Sequence, residues 1–374
     1  MFVAGSTKYK GKDFMTKDKV IDGHLHIEAF YGAEGYFLDA FEVYRKEAGI
    51  ASYNVCAIPC LTRNSNEISA AANNIQCAFV KLAHPDVFVH ACLEHFGKEI
   101  PETLNPDFDY VTQYHELMEI GFDGIKMLEG KPTYNKTIGK NLLHPELMRF
   151  YAEVEKNKTH VVFHVSDPET FWDPNAVSED LKKIGWFYGD GTFAAHEELY
   201  RQAEAVLEAF PNVCFTFAHF YFCGDKPEKL QALLDKYPNL CVDITPGIEM
   251  YHSFEAKHDF YREFFEKNSK RIIVGTDGTH PQPARFPIWC IDRLYRFIAT
   301  TDVVSAFDDK LLTGLNLSEE ASENILHKNF ERRVSAQPKP INKEALKAYI
   351  DKYLPTITAE NTAAEIRKLA EKYL

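Results

Sequence analysis

The chain has 374 residues, 45% of them hydrophobic, and a formal net charge of -13. That length suffices to bury a large core as one α/β domain or two smaller ones, and the composition argues against disorder. The acidic balance argues against a polyanion-binding protein, because phosphate recognition rests on clustered Lys and Arg, and so points to a small-molecule partner.

The opening stretch MFVAGSTKYKGKDFMTKDKV holds lysines but no apolar run long enough for a signal sequence or a membrane span. The chain is therefore expected to stay in the cytoplasm and off membranes. Next comes VIDGHLHIE, followed by ASYNVCAIPC, DVFVHACLEH, FDGIKMLEG, HVVFHVSDP, VCFTFAHFYF, LCVDITPG and RIIVGTDGTH, all apolar, β-branched or aromatic. Between them lie segments with helical apolar spacing, such as YFLDAFEVYRKEAG, NEISAAANNIQCAFVKLA, FDYVTQYHELMEIG and EELYRQAEAVLEAFPN. Strand and helix in series, eight times, predict a (β/α)8 TIM barrel with its core from about Val20 to Thr300. An open doubly wound sheet is the alternative, but no GxGxxG or Walker pattern supports a nucleotide site.

The stretch from Pro168 to Ala195 lengthens the connection after the fifth strand and carries several large aromatics, so it is expected over the barrel mouth. After the eighth strand, SEEASENILHKNFERRV, KEALKAYIDKYL and AAEIRKLAEKYL read as helices of residues 301–374 that flank the barrel. No Pro/Gly/Ser-rich linker separates them, which predicts one domain over 1–374. Appended helices of this kind commonly mediate association, so a homo-oligomer is among the expectations. The eight cysteines, Cys56, Cys60, Cys77, Cys92, Cys214, Cys223, Cys241 and Cys290, form no CxxC pair and sit mostly in apolar runs. They read as small buried hydrophobes in a reducing compartment.

Chemistry enters at the carboxyl ends of the strands, where barrel active sites lie. His24 and His26 share a strand, and alternation points both imidazoles to one face. His164, His219 and Asp277 end the fifth, sixth and eighth strands. A His-x-His alone is more often a satisfied polar pair than a metal site, and a lone strand histidine is more often structural. Five such residues at the same end of their strands are rarely produced by independent placement.

Through DGHLHIE, FHVSDP, FAHF and GTDG the chain resembles the amidohydrolase superfamily over nearly all of the barrel, and most closely its amidohydrolase-2 branch of metal-dependent hydrolases and related decarboxylases. The tail SENILHKNFERR is similar to that branch's closing helix. The resemblance implies that His24, His26, His164 and Asp277 hold one divalent metal ion, zinc by donor type, with manganese, iron or nickel able to occupy the same set. It implies Asp277 as the proton carrier for an acidified water, and His219 as the group that polarises the substrate carbonyl. Lys126, ending the fourth strand, is open between three readings. It is a carboxylated bridge for a second metal, an ammonium that binds a substrate carboxylate, or a lysine paired with Glu94 or Glu129.

Substrate contacts are expected from Lys126, Glu94, Trp172 and His280. Glu28, His95, Asp167 and Glu249 are further pocket candidates, each equally suited to orienting a histidine. Asp22 fits an orienting or turn role, Trp186 and Phe187 fit a flat-substrate cover or plain packing, and Arg285 fits an anion contact or a solvated charge. The preferred activity is hydrolysis of an ester, lactone or amide of a small, carboxylate-bearing substrate. Non-oxidative decarboxylation of an aromatic or unsaturated acid uses the same ligands, and an inactive binding barrel is the third reading.

Overall fold

A computed structural model of the chain describes residues 17–27, 36–58, 69–95, 109–280, 285–306, 310–357 and 359–374. Nine strands form one sheet: β1 (Ile21–Ile27), β2 (Ser52–Cys56), β3 (Phe88–Ala91), β4 (Gly124–Gly130), β5 (His160–Val165), β6 (Cys214–Phe217), β7 (Leu240–Asp243), β8 (Ile272–Ile273) and β9 (Gly278–His280). Their spatial order is β8-β7-β6-β5-β4-β3-β2-β1-β9, and the paired neighbours are parallel. Parallel neighbours require crossovers, which the intervening helices supply.

The run RIIVGTDGTH, expected as one strand, is split. Its first part, β8, pairs with β7, with Ile272 opposite Val242, while β9 pairs with β1, with Thr279 opposite His26. Backbone bonds from Gly23 N to Val274 O (3.0 Å) and from Asp277 N to His24 O (2.8 Å) stitch the residues between them to β1. The sheet thereby closes into a barrel. Glycine makes this approach possible: a Cβ on Gly275 would lie 2.7 Å from His24 Cβ and 2.8 Å from Thr245 Cγ2.

Helices cover the outside because their apolar stripes face the sheet. Ala70–Ala83 starts at Ser69, whose side chain accepts from Ala72 N, and is buried from Ala70 through Lys81. Its polar-face positions are covered by the C-terminal helices Lys343–Tyr353 and Glu360–Tyr373, which pack against it. The segment leading to them is anchored at Asp123, which accepts from Lys339 N (2.9 Å) and pairs with the buried Lys81 ammonium (2.6 Å). At the amino end of the barrel Phe330 meets Ile21, Phe88 and Ile273 as a plug. A two-stranded antiparallel hairpin, β10 (Val303–Ser305) and β11 (Leu311–Thr313), lies outside the barrel. Among the described residues no helix is long and apolar enough to cross a membrane.

A polar chain crosses the barrel interior. Asn54 Oδ1 meets His90 Nδ1 (2.7 Å), His90 Nε2 meets His160 Nδ1 (2.8 Å), and His160 Nε2 meets Thr216 Oγ1 (2.8 Å). Burial, then the Arg333 charge, depresses His160 to about 3, and burial pushes His90 well below its usual value.

The connection after β5 folds on itself through the short turns Glu169–Trp172 and Glu179–Lys183. Phe171 stacks on Trp186 (6.1 Å between centroids), Tyr188 N donates to Phe171 O (2.9 Å), and Trp172 Nε1 donates to Ala194 O (3.1 Å). Phe171, Leu181 and Trp186 line the cavity at the barrel mouth, as expected of this stretch.

Candidate metal centre

Alternation along β1 brings His24 Nε2 to 3.0 Å from His26 Nε2. Each ring is oriented from behind. His26 Nδ1 lies 2.8 Å from the Cys56 carbonyl, which can only accept, and His24 Nδ1 lies 2.9 Å from the Asp243 carboxylate. These partners assign the proton of each neutral ring to Nδ1, so two bare Nε2 lone pairs face one another. Burial first, and the Lys126 charge second, push His24 down to about 4 against the opposing pull of Asp243, so a His24 imidazolium does not relieve the contact at neutral pH. Asp277 Oδ1 completes the group, 3.1 Å from His26 Nε2 and 3.8 Å from His24 Nε2. Three acceptors converging in this way are satisfied by a cation, and two imidazoles with a carboxylate fit a divalent transition metal. The Lys126 ammonium already presses on this point, 2.8 Å from His24 Nε2.

Asp277 is delivered by backbone in the left-handed region, φ 54°, and its side chain is about 34% exposed toward the cavity. Burial would raise its carboxyl, but the close His26 ring, with His219 and His24 nearby, holds it well below the usual range. Asp22 fixes the approach of the two segments: its buried carboxylate accepts from Thr276 N (3.0 Å), Thr276 Oγ1 (2.6 Å), Tyr44 OH (2.8 Å) and His24 N (3.2 Å). Burial nevertheless raises Asp22 to about 6.

His219 does not end a strand. It opens a turn, His219–Phe222, whose four residues all have φ between 49° and 56°, without a glycine. Such a turn costs roughly 1–2 kcal/mol per residue, so packing must hold it. Phe220 stacks on Phe265, Tyr221 stacks on Phe217, and Tyr200 OH donates to Tyr221 O (2.9 Å). His219 N donates to Asp243 Oδ1 (2.8 Å). Thr245 Oγ1 donates to Asp243 and lies 3.1 Å from His219 Nδ1, so its oxygen accepts from that ring. Neutral His219 thus keeps a bare Nε2 at the cavity. Asp243, which burial would raise, is lowered to about 2 by His24 and these hydrogen bonds.

His164 lies beside this group, its ring 5.0 Å from that of His219, with Nε2 3.1 Å from Asp167 Oδ1. Burial first and Lys131 second depress it to about 3. Asp167 also holds Lys131 Nζ through both oxygens (2.7 and 2.8 Å) and accepts from Tyr188 OH (2.7 Å). Above these residues is a cavity of about 660 Å³ with His26, Lys126, His164, His219 and Asp277 on its floor.

The model of the family described as Amidohydrolase, the amidohydrolase-2 branch, matches residues 21–332. The chain belongs to the amidohydrolase superfamily. The amidohydrolase also resembles solved structures. An uncharacterised TIM-barrel protein of Bordetella bronchiseptica shares 18% identity at a TM-score of 0.50, covering 85% of this chain and 98% of that one. A probable 2-pyrone-4,6-dicarboxylic acid hydrolase of Acinetobacter baumannii, solved with citric acid bound, shares 13% at a TM-score of 0.51, covering 84% and 99%. A putative amidohydrolase of Staphylococcus aureus shares 13% at a TM-score of 0.50, covering 84% and 99%. These likenesses are of fold. No curated protein matches the chain.

Within the amidohydrolase, the site residues expected from sequence separate by position. His24, His26 and Asp277 come together, Lys126 touches them, and His164 and His219 stand on the same floor, His164 engaged with Asp167. Asp167, Glu249 and Trp186 line the cavity. Glu94 instead lies buried against helix Ala70–Ala83, accepting from Ala71 N and His95 N, and His95 bridges Glu129 and Tyr110. Trp172 packs edge-on against Tyr188 and His196 behind the cavity wall, while Phe187 is half-buried and Arg285 exposed. Glu28, Cys60 and the side chain of His280 lie outside the described residues. The other seven cysteines are free, and Cys214 alone among them is not fully buried. Sequence reasoning missed Asp243, Lys131 and Tyr188. Asp243 carried a usable signal, because LCVDITPG ends its apolar run on an acid at the same end as the other ligands.

Proposed function

We propose that this amidohydrolase is a metal-dependent hydrolase of a small, carboxylate-bearing ester, lactone or amide. The observation that carries the proposal is the convergence of two bare imidazole nitrogens and a carboxylate at the floor of a cavity. Zinc fits this donor set, with manganese, iron or nickel as alternatives, and His164 is the fourth ligand proposed once it leaves Asp167. When bound, such a metal supplies the positive charge that acidifies water and polarises a carbonyl. Asp277, with a third of its side chain toward the cavity, accepts the proton of the attacking water and passes it to the leaving group.

His219 stands on the same floor, its ring 6.1 Å from that of His24. Its Nδ1–H is committed to Thr245, so Nε2 faces the cavity, and a ring that has taken a proton from solvent before the reaction would present Nε2–H to the developing oxyanion and keep that proton throughout. Lys126, which lines the cavity and lies 2.8 Å from His24 Nε2, would meet a substrate carboxylate in this reading, and carboxylation of the same amine would recruit a second metal. Phe171, Leu181 and Trp186 exclude water from the substrate's apolar part. The ammonium beside the ligands favours one alternative, non-oxidative decarboxylation, in which Lys126 would bind the substrate carboxylate and a metal held by His24, His26 and Asp277 would supply further positive charge.

Elemental analysis of the purified, unchelated protein tests this reading. About one equivalent of a divalent transition metal is expected, lost in His24→Ala and mostly kept in His219→Ala. Loss of metal from His219→Ala, or two equivalents in the native protein, would move the assignment to a bridged centre. No metal after incubation with zinc or manganese would remove the enzyme assignment.

A further inference from the structure

Asp243 stands at the end of β7 and touches both histidine systems of the floor, yet belongs to neither proposed ligand nor proton carrier. One oxygen, Oδ2, is 2.9 Å from His24 Nδ1. The other, Oδ1, accepts from His219 N (2.8 Å), Thr245 N (3.1 Å) and the Thr245 hydroxyl. Because that hydroxyl spends its proton on Asp243, Thr245 Oγ1 is an acceptor toward His219 Nδ1 at 3.1 Å. Both histidines are therefore protonated on the nitrogen that faces away from the cavity: the buried carboxylate sets His24 directly, and sets His219 through the Thr245 hydroxyl, beside the longer contact of His219 Nδ1 with the Thr245 carbonyl (3.4 Å). The two backbone N–H groups cannot rotate, which fixes which oxygen faces which histidine.

We infer that Asp243 is a positioning residue that sets the Nε2-bare form of both His24 and His219, joining metal affinity to the seating of the left-handed turn. The inference rests on the metal reading above and deepens it. It makes two separable predictions. In Asp243→Asn the amide oxygen must face the backbone N–H groups of His219 and Thr245, leaving the NH2 opposed to His24 Nδ1–H. His24 then moves its proton to Nε2 and loses the ligating lone pair, while His219 keeps its arrangement. In Thr245→Val the His24 side is untouched, and the His219 ring loses its nearer acceptor while keeping the Thr245 carbonyl, 3.4 Å from Nδ1.

The test uses the full chain stripped of metal, with Co2+ and Zn2+ alone as probes. Chelator competition should show Asp243→Asn weakened about 10–100-fold for both ions, the range typical of removing a carboxylate behind a ligating histidine, with Thr245→Val unchanged. Histidine 15N spectra should show His24 moving to the Nε2–H form in Asp243→Asn only, and faster exchange of the His219 Nδ1 proton in Thr245→Val only. A purely structural carboxylate would not move these signals. Wild-type affinity in Asp243→Asn overturns the inference and leaves the metal reading intact, whereas a native chain that takes neither ion overturns both. Should Asp243→Asn not fold, the native apo spectrum decides: Nδ1–H on both rings supports the inference, and Nε2–H on either refutes it.

Discussion

Replacing Asp167 with asparagine removes the charge that holds the cavity's aromatic wall to its floor. The carboxylate binds Lys131 through both oxygens, accepts from Tyr188 of the long connection, and contacts His164. Burial would raise its carboxyl, but the Lys131 ammonium and the bonds from His164 and Lys131 hold it well below the carboxylate range. Lys131 also lies over the Trp186 ring, 4.7 Å from its centroid. Removing one partner of a buried ion pair costs about 3–5 kcal/mol. The side chain of Lys131 is 12% exposed and that of Asp167 4%, so cavity water recovers part of this, and about 3 kcal/mol is expected in Asp167→Asn. For 374 residues at about 2.1 cal/mol/K each, that lowers Tm by about 4 °C if the chain unfolds as a unit. Calorimetry on metal-free protein reads the shift, and hydrogen exchange over residues 168–195 reads loosening of the wall. A double-mutant cycle with Lys131→Met isolates the pair, because the double variant should recover much of the loss. A Tm within 1 °C of native, or strictly additive variants, would refute the reasoning.

Acid should destabilise the protein through the interior histidine chain. His160 has a folded value of about 3 against about 6.5 unfolded, so its contribution is complete above pH 6.5 and is lost as pH falls toward 3. About 2 kcal/mol of it should be gone by pH 5, and His160→Gln should flatten the fall in urea-unfolding free energy between pH 7 and pH 5. An unchanged slope would remove His160 as the cause. Tyr221→Phe deletes a buried hydroxyl that lacks a hydrogen-bond partner among the described residues while keeping the stack on Phe217. Urea unfolding should show it neutral or stabilised by about 1 kcal/mol, and a loss above that size would reveal a partner for the hydroxyl.

The sequence made the barrel legible where physics is local and periodic. Alternation in DGHLHI places His24 and His26 on one face, and the order of strands follows from crossovers that must be parallel. The interruption of the eighth strand was not legible, because it depends on Gly275 meeting His24 across a distance that only the closed barrel creates. Nor was the turn at His219, since AHFYF contains no glycine, asparagine or aspartate and is held there by Phe265, Phe217 and Tyr200. Trp172 and Trp186 look alike in the chain. Only the fold of the long connection turns one toward the cavity and the other toward His196.

The split eighth strand ties two properties of this barrel to four residues. The segment 274–277 carries the Asp277 carboxylate to His26 and also bears the backbone bonds that join the last strand to the first. A substitution there alters closure and chemistry together, so the seam leaves little room for gradual change. The connection of residues 168–195 has no share in that closure, yet it supplies Phe171, Leu181 and Trp186 to the cavity. Divergence of substrate preference in descendants of this chain is accordingly channelled into that stretch, where a new wall can be tried without reopening the barrel.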